Sequence, residues 1–278
     1  MKKHITTILL VLVFVVGLSV LLYPTFSDYV NSMSQSRAMA GYSKSLEQLD
    51  RSEYIEILDK AAQYNKQLPA KANRFHMTEE ELTQYKSLLR VAATDVIGLI
   101  EVPTIDVKLP IYHGTNEAVL QLGVGHMEGT SLPVGGPGTH AALSGHRGLP
   151  SAKLFSNLDR VAIGDVFIIT VLGEILTYQV DQILTVEPAE VDGLAIVDGA
   201  DYATLVTCTP YGINSHRLLI RGFRTNNAIP DTIEMIPELT DAEYLEIPPI
   251  VIALVILILV IMILLIFILI YMKRKGRS

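Results

Sequence analysis

Among 278 residues there is one cysteine, Cys208. A lone thiol cannot close an internal disulfide, so no covalent staple holds this fold together. That leaves three roles for Cys208: a small buried hydrophobe, the site of an intermolecular bond, or a nucleophile. Metal-ligand spacings are missing too. There is no His-Glu-x-x-His and no cysteine–histidine cluster, so no metal and no cofactor are expected. The absence of Gly-x-Ser-x-Gly removes the usual support for a serine hydrolase. Internal repeats and low-complexity tracts are also absent, which excludes a repeat architecture.

Positive charge is scarce away from the ends. Six of the 22 lysines and arginines lie in the end segments (Lys2, Lys3, Lys273, Arg274, Lys275 and Arg277). The stretch between them holds 16 against 29 aspartates and glutamates, a formal charge of −13. A field of that sign repels phosphates, so a nucleic-acid partner is not expected.

Half of the residues are hydrophobic, and the excess sits in two blocks. Residues 5–23 and 250–271 contain no charged residue, and each approaches the roughly 20 residues a helix needs to span a bilayer. The second block has no polar stripe, unlike a core helix. The first could be a cleaved leader, but the small-residue site Ala38-Met39-Ala40 lies well beyond the apolar run. Basic flanks stay on the cytoplasmic side. The expected arrangement is therefore a two-pass protein of the plasma membrane, with both termini cytoplasmic and the middle extracellular. Membrane lipid is the first expected partner.

The organisation expected along the chain has seven parts. Residues 1–4 are a cytoplasmic start and 5–23 a transmembrane helix. An extracellular helical stalk occupies 24–95, and a β-rich domain 96–224. After a linker at 225–249, residues 250–271 form a second transmembrane helix, and 272–278 a basic tail. Leu46, Leu49, Ile55, Leu58 and Ala61 fall mostly at helical intervals. Thr78, followed by Glu79, Glu80 and Glu81, reads as a helix start. From Val96 the pattern turns to short β-rich runs bounded by Pro and Gly. Residues 166–172 and 175–186 flank Gly173-Glu174 as a hairpin. Strands at 203–207 and 217–221 are joined by a polar loop. Many short strands of this kind make a closed barrel or a sandwich.

Cys208 ends a strand where that loop begins. A free thiol is mostly protonated at neutral pH, so a nucleophilic cysteine needs a cationic partner. His4 lies in the cytoplasmic flank and His76 in the stalk. His113, His126, His140, His146 and His216 all lie in the β-region, and composition alone does not separate them. His146 has one distinguishing feature, a strand end followed by glycine. Arg217 opens the strand after the cysteine loop, where a guanidinium could steady an oxyanion with two donors. Arg221 has the same facing parity.

The segments L-S-G-H-R-G (143–148) and T-L-V-T-C-T-P-Y-G-I-N-S-H-R-L-L-I-R-G (204–222) resemble the signatures of the sortase family, in particular its pilus-assembling class C branch. The resemblance covers about 96–224. It implies a mainly β fold, a closed eight-stranded barrel with N-terminal helices, flanked here by two transmembrane helices. It selects Cys208 as nucleophile, His146 as general acid/base and Arg217 as oxyanion and substrate stabiliser. The substrates it implies are pilin or surface proteins bearing LPxTG-like sorting signals, cut between Thr and Gly. The acceptor it implies is the lysine amine of a pilin subunit. Class C members typically carry the C-terminal membrane helix that housekeeping sortases lack. A housekeeping sortase joining proteins to cell-wall peptide, a papain-like protease and a non-catalytic scaffold are the alternatives. In a papain-like protease the nucleophile precedes its histidine and sits near a helix start, the reverse of the order here.

One class C feature is missing. Many members carry an Asp-Pro-aromatic lid over the site, and residues 64–95 contain no Asp-Pro. The expectation is a cleft that is open, or loosely covered by residues 65–80, with Phe75 either partly standing in for the lid aromatic or packing on the stalk.

Overall fold

A computed structural model of the chain describes residues 2–91 and 94–225, with isolated positions at 258 and 261. Apart from those two positions, the expected second membrane helix (250–271) lies outside the described residues, as do the basic tail and nearly all of the linker. The chain divides into two units, and Asp28–Pro237 carries the β-domain.

Helix α1 runs Lys2–Glu47, its residues up to Ser27 belonging to the other unit. Among the described residues it is the one helix long and apolar enough to cross a membrane by length and composition. Leu9, Leu10, Leu12 and Phe14 are exposed on it, the reverse of a buried core helix. Helices α2 (Arg51–Gln67) and α3 (Glu79–Ser87) each begin in a capping box. In α3, Thr78 Oγ1 accepts the Glu81 N–H and Glu81 returns the bond to the Thr78 N–H, satisfying two otherwise orphaned donors.

Eight strands follow: β1 (Val96–Val102), β2 (Val107–His113), β3 (Val124–His126), β4 (Thr139–Ser144), β5 (Val166–Val171), β6 (Glu174–Val186), β7 (Asp201–Thr209) and β8 (His216–Arg224). They close into a barrel in the order β1-β2-β3-β4-β7-β8-β6-β5, with β5 returning to β1. The β2–β3 and β4–β7 pairs are parallel and the others antiparallel. A short helix, α4 (Glu117–Leu122), fills the β2–β3 crossover.

Closure leaves no free edge and puts one face of each strand inside. Phe167 and Tyr178 stack inside with centroids 5.5 Å apart, both essentially fully buried, and each such side chain contributes about 1.5–3 kcal/mol. β1 is buried along almost its whole length. The reason lies outside the barrel, where Tyr42 of α1 donates to the Ile97 carbonyl and accepts from the Leu172 N–H. Helix α2 docks by Asn65, whose amide brackets both backbone groups of Leu132.

The β5–β6 hairpin turns one residue earlier than the expected Gly173-Glu174. Its turn residues are Leu172 and Gly173, both at positive φ (51° and 84°), and Val171 pairs with Glu174. This is the backbone of a two-residue hairpin turn, which local chemistry would give to Asn-Gly. Leu172 occupies it because its side chain is buried and its N–H is held by Tyr42. Tertiary packing overrides turn preference here.

Candidate active site

β7 and β8 run antiparallel in a register that sets Cys208 opposite Arg217 and Thr204 opposite Arg221. Directly opposed residues project to the same face of the sheet. Arg217 therefore shares a face with the thiol at the adjacent position. Arg221 shares the face too, but four residues, or about 13 Å, further along. Both strands outrun their expected ends, so Cys208 sits within the ladder, one residue before its end.

The two arginines are bound differently. Arg221 makes a two-pronged bond to Asp181 (3.0 and 2.8 Å) and covers the Tyr202 ring at 4.4 Å. That engagement, led by the Asp181 hydrogen bonds, raises its pKa further. Arg217 forms only weak bonds to the carbonyls of Asn214 (3.3 Å) and His216 (3.1 Å) at its own loop. No carboxylate among the described residues holds it. One guanidinium is committed to the barrel wall, while the other keeps donors for a ligand.

His146 follows β4 by two residues. Its loop is tied to β7 by the Gly145 N–H to the Val206 carbonyl (3.0 Å) and by Thr207 Oγ1 to the Gly145 carbonyl (2.7 Å). Gly145 must lack a side chain, since a Cβ there would come within 2.7 Å of the Phe155 ring. Arg147, 7% exposed, turns away from the site to Asp159 (2.7 Å) and Thr209 Oγ1 (3.1 Å). It thereby ties the histidine loop to the residue after Cys208.

Cys208, His146 and Arg217 line one cavity of about 290 Å³. Its floor and walls are mostly apolar, with Leu120, Met127, Leu194, Val206 and Leu219 among them, and Cys208 is half-buried. Such a place weakens water as a competitor and strengthens directed electrostatics.

The structure separates histidines that sequence did not. Burial holds His126 near pKa 3, and its Nδ1 meets the Tyr85 hydroxyl at 2.7 Å. His140 is held at about 4 by burial, between the Ala195 carbonyl and Thr204 Oγ1. Burial also lowers His113 to about 4. All three are held neutral, His126 and His140 in the core and His113 half-buried beside Tyr85. His216 lies opposite Thr209 on the outer rim, 3.4 Å from Glu187. Of the five, His146 alone lines the cavity with Cys208.

Phe75 does not pack on the stalk. It rests against the barrel cluster of Val206, Leu194 and Leu219, which are also cavity walls. Arg74 fastens this strap by donating to the carbonyls of Gly129 (2.8 Å) and Leu194 (2.9 Å). The segment is anchored to the barrel at Arg74 and Phe75, and none of residues 65–80 is among those that line the cavity. No motif announces this, because the contacts are made to backbone carbonyls far away in sequence. Glu117 of α4 was also missed, and its Oε2 stands 3.4 Å from His146 Nε2.

Comparison with known proteins bears on this geometry. A family model described as the sortase domain matches residues 100–225. The crystal structure of sortase C1 from Streptococcus agalactiae superposes with TM-score 0.66 at 50% identity, covering 69% of this chain and all of that one. The chain belongs to the sortase family. A sortase C of Streptococcus pneumoniae, whose structure is described in terms of catalysis and pilin substrate specificity, matches with TM-score 0.60 at 45% identity, over 68% of this chain and 96% of that one. Sortase A of Streptococcus agalactiae serotype III is 34% identical over 117 residues, 41% of this chain, and the chain spans about half (47%) of that relative. This sortase therefore sides with class C, and its barrel is the sortase barrel. Sortases are cysteine transpeptidases.

Proposed function

We propose that the chain is a pilus-assembling transpeptidase of the membrane surface. It would cut LPxTG-like sorting signals between Thr and Gly and pass the acyl group to a pilin lysine. The observation that carries this reading is the meeting of Cys208, His146 and an uncommitted Arg217 in one apolar cavity.

The Cys208 thiolate attacks the threonine carbonyl, and the Arg217 guanidinium faces the oxyanion that forms. As the carbon–nitrogen bond breaks, His146 gives its proton to the leaving glycine amine, leaving a thioester on Cys208. A lysine amine then attacks that thioester and loses a proton to His146. The thiolate leaves, and an isopeptide bond remains. The apolar walls favour the amine over water.

The exposed apolar stretch of α1 supports anchoring in the membrane. The two-pass arrangement, with both termini inside, is part of the same proposal. On cells stripped of wall, protease should digest the β-domain and spare an epitope placed at Ser278. An accessible epitope would refute the arrangement.

For the reaction itself, full-length chain in detergent would be mixed with an LPxTG peptide and a lysine-bearing pilin fragment. Mass spectrometry should find the peptide, ended at Thr, on a lysine side chain. Transfer only to a cell-wall peptide amine would mark a housekeeping sortase instead.

A further inference from the structure

We infer that Glu117 is a positioning residue for His146, fixing the ring so that Nε2 keeps its hydrogen while Nδ1 exchanges protons with the thiol and the amines. The inference rests on the proposed acid–base role of His146.

Glu117 divides its carboxylate between two tasks. Oε1 accepts from Gln121 Nε2 at 2.7 Å, one turn along α4, and Oε2 faces His146 Nε2 at 3.4 Å. The second distance is that of an ion pair, longer than a strong hydrogen bond. His146 Nε2 has no hydrogen-bond partner among the described residues, and none of the hydrogen bonds found there involves its Nδ1. A buried ring nitrogen facing a carboxylate oxygen is the half-made form of the bond that sets a histidine's tautomer. Such bonds are often long without ligand and tighten when substrate arrives. The Glu117 carboxyl is held below the usual carboxylate range, first by Gln121 and next by the charge of His146. Glu190 also lines the cavity, but among the described residues Glu117 is the acid within ion-pair reach of His146.

The placement of Glu117 is built rather than incidental. Asn116 caps α4 through the Val119 N–H at 3.1 Å, so Glu117 opens the helix. At the other end, Gly123 lies so close to Pro110 of β2 that a Cβ would come within 2.7 Å of its carbonyl oxygen. The Leu122 carbonyl is taken by Gln35 of α1 at 3.1 Å. Both ends of a six-residue helix are thus pinned, which holds a side chain otherwise 71% exposed at a fixed point beside the histidine.

Proton traffic then balances. The imidazolium carries hydrogens on both nitrogens. Nδ1–H passes its proton to the leaving glycine amine, and the neutral ring is left as the Nε2–H tautomer facing Glu117. Nδ1 later takes the proton of the attacking lysine amine. Without the carboxylate the neutral ring divides between tautomers, and part of the population presents the wrong nitrogen.

Nitrogen-15 NMR of the His146 ring, in the full-length chain in detergent and assigned with His146→Gln, reads the tautomer without any substrate. The neutral ring should be the Nε2–H form in the wild type and a mixture in Glu117→Ala. In parallel, cleavage of a fluorogenic LPxTG peptide should lose about tenfold in kcat, less than the roughly 10²–10⁴-fold that loss of the acid–base group itself would cost. KM should stay within about twofold, and Glu117→Asp should recover part of the loss. The melting temperature should barely move, because an exposed pair adds little stability. An Nδ1–H wild-type ring, or a tautomer and kcat unaffected by Glu117→Ala, overturns the inference. Should the wild type leave the peptide intact while the tautomer still depends on Glu117, the pairing stands and the proposed activity fails.

Discussion

Cys208 and Arg217 are directly opposed residues of the β7–β8 ladder, one position from its open end. A reacting carbonyl held over the thiol would have the guanidinium beside it, because both side chains leave the same face. The ladder behind the pair fixes its register, while the loop between them, 210–215, supplies the Asn214 carbonyl to which Arg217 donates.

Arg217→Lys keeps the charge and loses the planar fork. It should cost at least about tenfold in kcat for LPxTG cleavage, as the loss of an oxyanion donor does. Arg221→Lys should leave kcat nearly unchanged and lower the melting temperature, because it breaks the two-pronged Asp181 bond worth roughly 1.5–3 kcal/mol. Equal damage to kcat from both would contradict the division of roles.

The buried histidines predict acid sensitivity. His113, His126 and His140 have folded-state values of about 4, 3 and 4, against 6.5 when free, chiefly through burial. Between those values the unfolded chain binds more protons than the folded one, so stability rises with pH there. It is fully present above about pH 6.5 and is lost as pH falls toward 4, at up to about 1.4 kcal/mol per pH unit for each histidine. Melting temperature measured from pH 7.5 to 4.5 should fall steadily below 6.5. A flat curve would show that these groups are not buried neutral.

The strap offers a third test. Arg74→Met leaves the carbonyls of Gly129 and Leu194 without their donor, and stability should drop by about 1–3 kcal/mol. Phe75→Ala removes the backing of Leu194, Val206 and Leu219. Iodoacetamide should then alkylate Cys208 faster than in the wild type. Unchanged melting and alkylation would return the strap to the loose cover expected from sequence.

What could be read beforehand follows the range of the interactions involved. Strands, capping boxes and the Cys208–Arg217 relationship are local or two-strand features, and alternation, caps and hairpin spacing record them. The choice of His146 among five histidines came from resemblance to a family. Its physical basis is burial, which puts His126 and His140 in the core, leaves His113 half-buried against Tyr85 and sets His216 on the rim. The turn at Leu172, the Arg74 strap and Glu117 escaped because each depends on a partner between 29 and 130 positions away. The eight-strand count likewise came with the resemblance, since composition alone allowed a sandwich as well as a barrel.

The most direct measurement is a trap for the acyl intermediate. Full-length chain and an LPxTG peptide would be quenched in acid, digested, and searched by mass spectrometry for peptide acyl groups. The account predicts a thioester joining the Thr carbonyl to Cys208, absent in Cys208→Ala and strongly reduced in His146→Ala. Cleavage that proceeds with Cys208→Ala, or an acyl group found on another residue, would contradict it.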